Sequence, residues 1–176
     1  MIGLEQGKVL LSEYDPKWPL ESAKEKKLIT SAVGPVDILI EHIGSTAVAG
    51  LCAKPIIDIL IGIPNFADGF SLVAPLEEIG YEFKGKNGIV GRHFFAKGLL
   101  RTHHIHMVEK NNTFWKEHIL FRDFLRKNNT EKQQYALLKI KLAQTYGFDR
   151  DGYTNAKADF IRSVIQKAQE QGKTAV

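Results

Sequence analysis

Glu41-His42-Ile43-Gly44-Ser45-Thr46, followed by Lys54-Pro55-Ile56-Ile57-Asp58-Ile59-Leu60-Ile61, is the stretch on which the fold turns. An apolar strand runs into a Gly-Ser turn, and a second, isoleucine-rich strand carries one carboxylate. A Gly-Ser corner at a strand exit leaves backbone N–H groups and a hydroxyl free to hold phosphate, because glycine allows close approach and serine donates a hydrogen bond. An aspartate inside such a strand is costly to bury unless it meets a metal, a proton or a partner. Alternation puts Ile57, Ile59, Ile61 and Ile63 on a core face, and Asp58 with Leu60 on the opposite face, where a ligand can sit.

Working outward, Pro19 suits the first turn of a helix with Leu20, Leu28, Ile29, Ala32 and Val33 as its apolar face, stopped by Gly34-Pro35. Val9-Leu10-Leu11 reads either as a strand or as a segment packed on the core, and Val36 to Ile43 as a strand. Phe66 to Gly80 has helical spacing at Phe70, Val73, Leu76 and Ile79. Tyr81 to Phe83, Arg92 to Lys97 and Arg101 to Val108 read as strands, joined by glycine-rich turns into an antiparallel meander. From Thr113 the period becomes helical. Three helices follow, over 113–127, over 130–146 with a capping box at Thr130 and Gln133, and over 154–171. The expectation is an α+β fold with a mixed or antiparallel sheet, flanking helices and a C-terminal three-helix segment. It is a single domain over 1–176, with an α/β core over 1–110 and C-terminal helices over 111–172.

The 176 residues suffice for one sizeable core. A formal net charge of +4 favours anionic ligands without demanding nucleic acid, since the basic residues are spread along the chain. One cysteine, Cys52, excludes an internal disulfide and fits a small buried residue better than a nucleophile. No span approaches the length of a membrane helix, and Met1 to Lys8 lacks the apolar run of a signal peptide, so a cytoplasmic location is expected.

Two constellations could carry chemistry. Twelve residues separate Ser45 from Asp58, enough to bring hydroxyl and carboxylate to one end of a sheet. There a carboxylate-held divalent ion, magnesium, manganese or zinc, would neutralise phosphate while the turn positions it. The plain alternative is a structural Asp58 paired with Lys54 or Arg101. In Arg101-Thr102-His103-His104-Ile105-His106, a strand places His104 and His106 on one face, able to ligate a metal or move protons. His42, Gly44, Ser45, Thr46, Lys54 and Arg101 are the candidate ligand- and phosphate-binding residues, and Arg92 and Lys97 are further candidate cations. Tyr153 with Lys157, and Trp115 with His118 and Arg122, could line a pocket from the helical part.

The run from His42 to Leu51, then Lys54 to Ile59, together with Trp18-Pro19, His103 to His106, Phe121-Arg122-Asp123, Tyr153, Lys157 and Phe160-Ile161, resembles the GrpB family, also known as UPF0157. That family is similar to the nucleotidyltransferases of the polymerase-beta type, and some relatives are fused to dephospho-coenzyme A kinase. The resemblance implies a Gly-Ser turn at a helix start and the aspartate on the next strand. Active nucleotidyltransferases place a second acid two residues after the first; here that position is Leu60. The third acid, expected on a neighbouring strand, is replaced by the group around His104 and His106. Two functions follow as expectations. One is a metal-dependent nucleotidyl- or phosphotransferase acting on a nucleotide or phosphorylated small molecule, with Ser45, Asp58, His104 and His106 catalytic and Asp58, His104 and His106 on the metal. The other is a non-catalytic nucleotide-, metabolite- or RNA-binding module on a degenerate fold.

Overall fold

The computed structural model describes residues 2–174. Helix α1 (Trp18–Val33) leads into strand β1 (Leu39–Ile43), and a single 3₁₀ turn, Ser45–Ala47, separates it from the segment that enters β2 (Ile57–Ile63). After α2 (Val73–Glu78) come β3 (Tyr81–Phe83), β4 (Arg92–Lys97) and β5 (His103–Glu109). The chain then turns helical as α3 (Thr113–Lys127), α4 (Asn129–Thr145), α5 (Arg150–Asn155) and α6 (Ala158–Thr174). The sheet order is β1-β2-β5-β4-β3. The meander of β3, β4 and β5 is antiparallel, as is β1 on β2, while β2 and β5 run parallel, so the sheet is mixed.

Period-2 alternation in β2 divides the protein. Ile57, Ile59, Ile61 and Ile63, all fully buried, join Ile105, Met107 and Phe95 in the core beneath α1 and α2. On the other face Leu60, also fully buried, packs with Ile43, Val108 and Trp115 at the start of α3. Gly62 is required there, because a Cβ on it would stand 2.8 Å from the Trp115 ring. A third cluster, with Val48, Leu51, Phe124, Tyr135 and Val164, ties the segment after the 3₁₀ turn to the C-terminal helices.

Several expectations change in detail. Helix α1 buries Trp18, Ser22, Glu25 and Ile29 and leaves Leu20 and Leu28 exposed, because Glu25 is drawn in by Lys97 at 2.7 Å. The helix expected over 66–80 is a 3₁₀ segment, Phe66–Leu72, followed by the short α2, with Phe70 exposed. Val9 is buried but belongs to no strand; this arm is pinned by single bridges from Leu4 to Arg101 and from Ser12 to Ala53. Thr130 lies inside α4, whose N-cap is Asn128 without a side-chain cap, so the capping box does not form. The last expected helix is broken at Ala156-Lys157 into α5 and α6, and Asp149 caps α5 by accepting from the Gly152 N–H.

Because Leu60 is sealed under Trp115, placing an acid there is incompatible with packing. Leu60→Asp is expected to lose at least about 3 kcal/mol in urea denaturation, as Leu60→Ala does through its cavity. An acid tolerated at 60 with unchanged midpoint would show that this face opens to solvent.

Candidate functional site

The parallel register sets Asp58 beside His104 on β5 and, across β1, beside Ile43, the last residue before the turn. Gly44 takes φ +73°, and a Cβ there would stand 2.7 Å from Asp58 Oδ2, so only glycine lets the turn close onto the carboxylate. The turn and its flanks are held from behind by cations of α3 and α4 that donate to backbone carbonyls: Arg122 to His42 O at 3.0 Å, Arg126 to Ala47 O at 3.0 Å and Lys132 to Ala49 O at 3.3 Å; Lys139, on the cavity side, donates to Cys52 O. Carbonyls turned outward to helix cations leave the inner edge of the turn to a ligand.

A cavity of about 310 Å³ opens in front of it, within the size range of small-molecule sites. Gly44, Ser45 and Thr46 form one side, with Asp58, His104 and His106 beneath. Lys54, Lys139, Arg150 and Lys157 bring positive charge, and Tyr135, Tyr153, Phe121 and Ile161 supply an aromatic and apolar wall. His118, with Glu117, enters from α3. Helices α4, α5 and α6 thus complete a site that the sheet begins.

Asp58 has 31% of its side chain exposed and meets His104 Nδ1 at 3.1 Å and His106 Nε2 at 3.6 Å, both on Oδ1. Burial works to raise its pKa, but hydrogen bonds from His104 and His106 and their charge prevail and hold it well below the usual carboxylate range. Burial lowers His104 in turn, against the pull of Asp58. Among the described residues, Asp58, His104 and His106 offer one ligand atom each, all within 4.8 Å of one another, so the donor set suffices in number for one ion.

The lysines are unusual. Lys139 Nζ donates to Ser45 Oγ at 3.0 Å, and Lys54 and Lys157 lie over the same Tyr153 ring, 5.5 and 4.1 Å from its centre. Among the described residues none of the three has an ion-pair partner. Burial lowers Lys54 and Lys139 to about 8, with Arg150 adding to the effect on Lys54 and Lys54 on Lys139. Burial, then Lys54 and Lys139, lowers Lys157 to about 7. Such a cluster is short of negative charge.

Other expected members stand elsewhere. Arg101 is outside the cavity lining, its backbone engaged with Leu4, and does not meet Asp58. His42 lies behind the turn, where its Nε2 meets Thr46 Oγ1 at 2.9 Å; burial lowers it to about 4. It braces the turn instead of facing the cavity. Arg92 is buried against Phe94, and Lys97 is paired with Glu25. His103 is on the opposite face, 3.9 Å from Glu25. Trp115 belongs to the core and Arg122 binds Glu41 at 2.6 Å, whereas His118, Tyr153 and Lys157 do line the cavity. Lys139, Tyr135 and Arg150 were not anticipated. A lysine four residues after Tyr135 on the buried stripe of α4 was the available signal.

The mixed sheet, the Gly-Ser turn and the adjoining aspartate define a protein of the nucleotidyltransferase fold. Cid1 poly(U) polymerase superposes with a TM-score of 0.52 at 13% identity, over 75% of this chain and 44% of that one, a likeness of fold alone. The chain belongs to the GrpB family, whose profile matches residues 8–167. The GrpB protein of Enterococcus faecalis superposes with a TM-score of 0.84 at 35% identity, over 92% of this chain and 98% of that one. The glutamate-rich protein GrpB of Alkalihalophilus pseudofirmus is 36% identical over 95% of this chain and 99% of its own length. A UPF0157 protein of Pseudomonas aeruginosa is 42% identical over 88% of this chain and 65% of its length. A dephospho-CoA kinase of Mycobacterium bovis is 25% identical over 89% of this chain and 45% of its own length.

Two outcomes follow. His42 and His118 both have pKa values lowered to about 4 from 6.5, chiefly by burial, so between those values the unfolded chain binds more protons than the folded one. Stability therefore falls as pH drops from about 6.5 to 4, and His42→Gln flattens part of that slope in melting curves; an unchanged slope would place His42 in solvent. Gly44→Ala is expected to cost about 1–3 kcal/mol from its positive φ alone. The clash with Asp58 adds to it, and wild-type chemical denaturation would contradict the close approach.

Proposed function

We propose that this protein binds a nucleotide or phosphorylated small molecule on the Gly44-Ser45 turn and acts on it as a metal-dependent nucleotidyl- or phosphotransferase. The observation that carries the reading is the meeting, in one cavity, of three lysines that have no ion-pair partner among the described residues with the Gly44-Ser45-Thr46 turn and Asp58. Lys54, Lys139 and Lys157 offer ammonium groups to phosphate oxygens, and Ser45, fixed by Lys139, offers a hydroxyl. Tyr135, Tyr153 and Phe121 give the organic part of the ligand an apolar wall. A divalent cation at Asp58, with His104 and His106 beside it, would neutralise the phosphate charge that develops in transfer.

Leu60 supports a second reading, a binding module without turnover on the same fold. A buried leucine where active relatives of the fold carry an acid leaves one carboxylate for the cation. The similarity to a dephospho-CoA kinase adds coenzyme A precursors to the ligands worth testing.

Melting temperature is measured with nucleoside triphosphates and coenzyme A precursors, with and without magnesium, manganese or zinc. A bound ligand stabilises the fold by mass action, by about 2.7 kcal/mol at a hundred times Kd, and so raises the melting temperature. Lys139→Ala is expected to weaken binding by about 1.5–3 kcal/mol, and Asp58→Asn to remove the metal-dependent part. Affinity should also fall as pH rises from 7 to 9. Phosphate favours the ammonium forms of Lys54, Lys139 and Lys157, whose pKa values burial lowers to about 8, 8 and 7. No shift with any phosphorylated compound, or a shift untouched by Lys139→Ala, would reject the reading. Product formation separates transferase from binding module.

A further inference from the structure

Asp58 Oδ1 receives both imidazoles, from His104 Nδ1 at 3.1 Å and His106 Nε2 at 3.6 Å, while Oδ2 faces the turn at Gly44. The two carboxylate oxygens therefore have different surroundings. What lies behind each ring decides whether that ring can hold a metal.

Behind His106 stands Arg92, with NH1 3.3 Å from His106 Nδ1. A guanidinium has only donors, so Nδ1 must accept, and a neutral His106 carries its proton on Nε2, the nitrogen turned to Asp58. Arg92 is locked in place. It is 5% exposed, its NH2 donates to the carbonyls of Lys86 and Asn87 at 3.1 and 2.9 Å, and it lies 4.9 Å from the centre of the Phe94 ring. Behind His104, Nε2 is buried and has no hydrogen-bond partner among the described residues, while Nδ1 faces a carboxylate that can only accept. A metal-ligating histidine passes its other N–H to a carboxylate, carbonyl or water. His106 meets a donor at that position and His104 meets nothing.

From this we infer that His104 and His106 are not metal ligands but positioning residues: their N–H groups hold Oδ1 and aim Oδ2 at the Gly44-Ser45 turn, where Asp58, together with the phosphate of the ligand itself, would hold a cation. The inference rests on the phosphate reading above for the second half of that coordination. It also names the cation class. One carboxylate plus ligand phosphates and water is the habit of magnesium or manganese, whereas a cage of two imidazoles and a carboxylate would select zinc or a similar ion and bind it alone. Arg92 sets the arrangement by fixing the His106 tautomer. The missing second acid at Leu60 fits the same scheme, because the ligand supplies what the strand does not.

Three measurements on the full chain test this. Long-range proton–nitrogen correlation spectra of the imidazoles should show a proton on Nε2 of His106 and on Nδ1 of His104; a proton on Nδ1 of His106 would overturn the assignment. Cobalt(II) added alone should give no intense visible bands; such bands, lost in His106→Gln, would make the imidazoles ligands. With inorganic pyrophosphate present, manganese should bind, and Asp58→Asn should abolish that binding. His104→Leu or His106→Leu should weaken it by roughly 10- to 100-fold. His104→Asn and His106→Gln, whose amides retain a donor at the same nitrogen, should restore most of it; failure of both amides to do better than leucine would contradict a positioning role. Pyrophosphate titrated in EDTA is read separately. If it does not bind, the phosphate reading fails, while the spectra and the cobalt titration still decide what the histidines do.

Discussion

The parallel pairing of β2 with β5 is the constraint on which the rest depends. Among the described residues it is the only parallel strand pairing, and its register puts Asp58 directly beside His104. Slide that register by one residue and Asp58 would turn to the wrong face relative to its partner, because side chains alternate with a period of two. The isoleucine face of β2 forbids the slip, since Ile57, Ile59, Ile61 and Ile63 would all leave the core. Hydrophobic packing on one side of the strand thereby fixes the polar geometry on the other.

The helices answer a second constraint, the isolation of charge. Arg122, Arg126 and Lys132 each donate to a backbone carbonyl of the turn region and so hold it against the helices. Lys54, Lys139 and Lys157 are brought to its inner side, without an ion-pair partner among the described residues, and burial holds their pKa values below the usual lysine range. On the proposed reading, and unlike the ion pairs on the protein surface, this cluster would gain stability from a bound anion.

Much of this was legible in the sequence because it is local. The alternation in Ile56 to Ile63 placed the core and set Asp58 opposite to it, and the spacing of His104 and His106 put them on one face. The meander followed from its glycine-rich turns. What escaped was set by distance in the chain. Lys139 reaches Ser45 across 94 residues, and no local pattern ties α4 to the turn. Arg101 looked like a partner for Asp58 but is engaged with the N-terminal arm, while Glu25 became a buried acid because Lys97 and His103 meet it from other strands. The helix over 66–80 was overestimated because Phe70, an apolar residue at the right spacing, is left exposed in a 3₁₀ segment.

The cavity draws on β1, β2, β5 and the C-terminal helices, and its central contact, Asp58 with His104, closes a loop of 46 residues. Loop closure must precede the reward from such distant contacts, so the site cannot exist in any partly folded chain that lacks β5 or α6. A ligand seated between Gly44 and Lys157 would grip segments from both halves of the molecule at once. It would act as a clasp on the native topology, slowing unfolding by joining parts of the chain that must separate before the sheet can open.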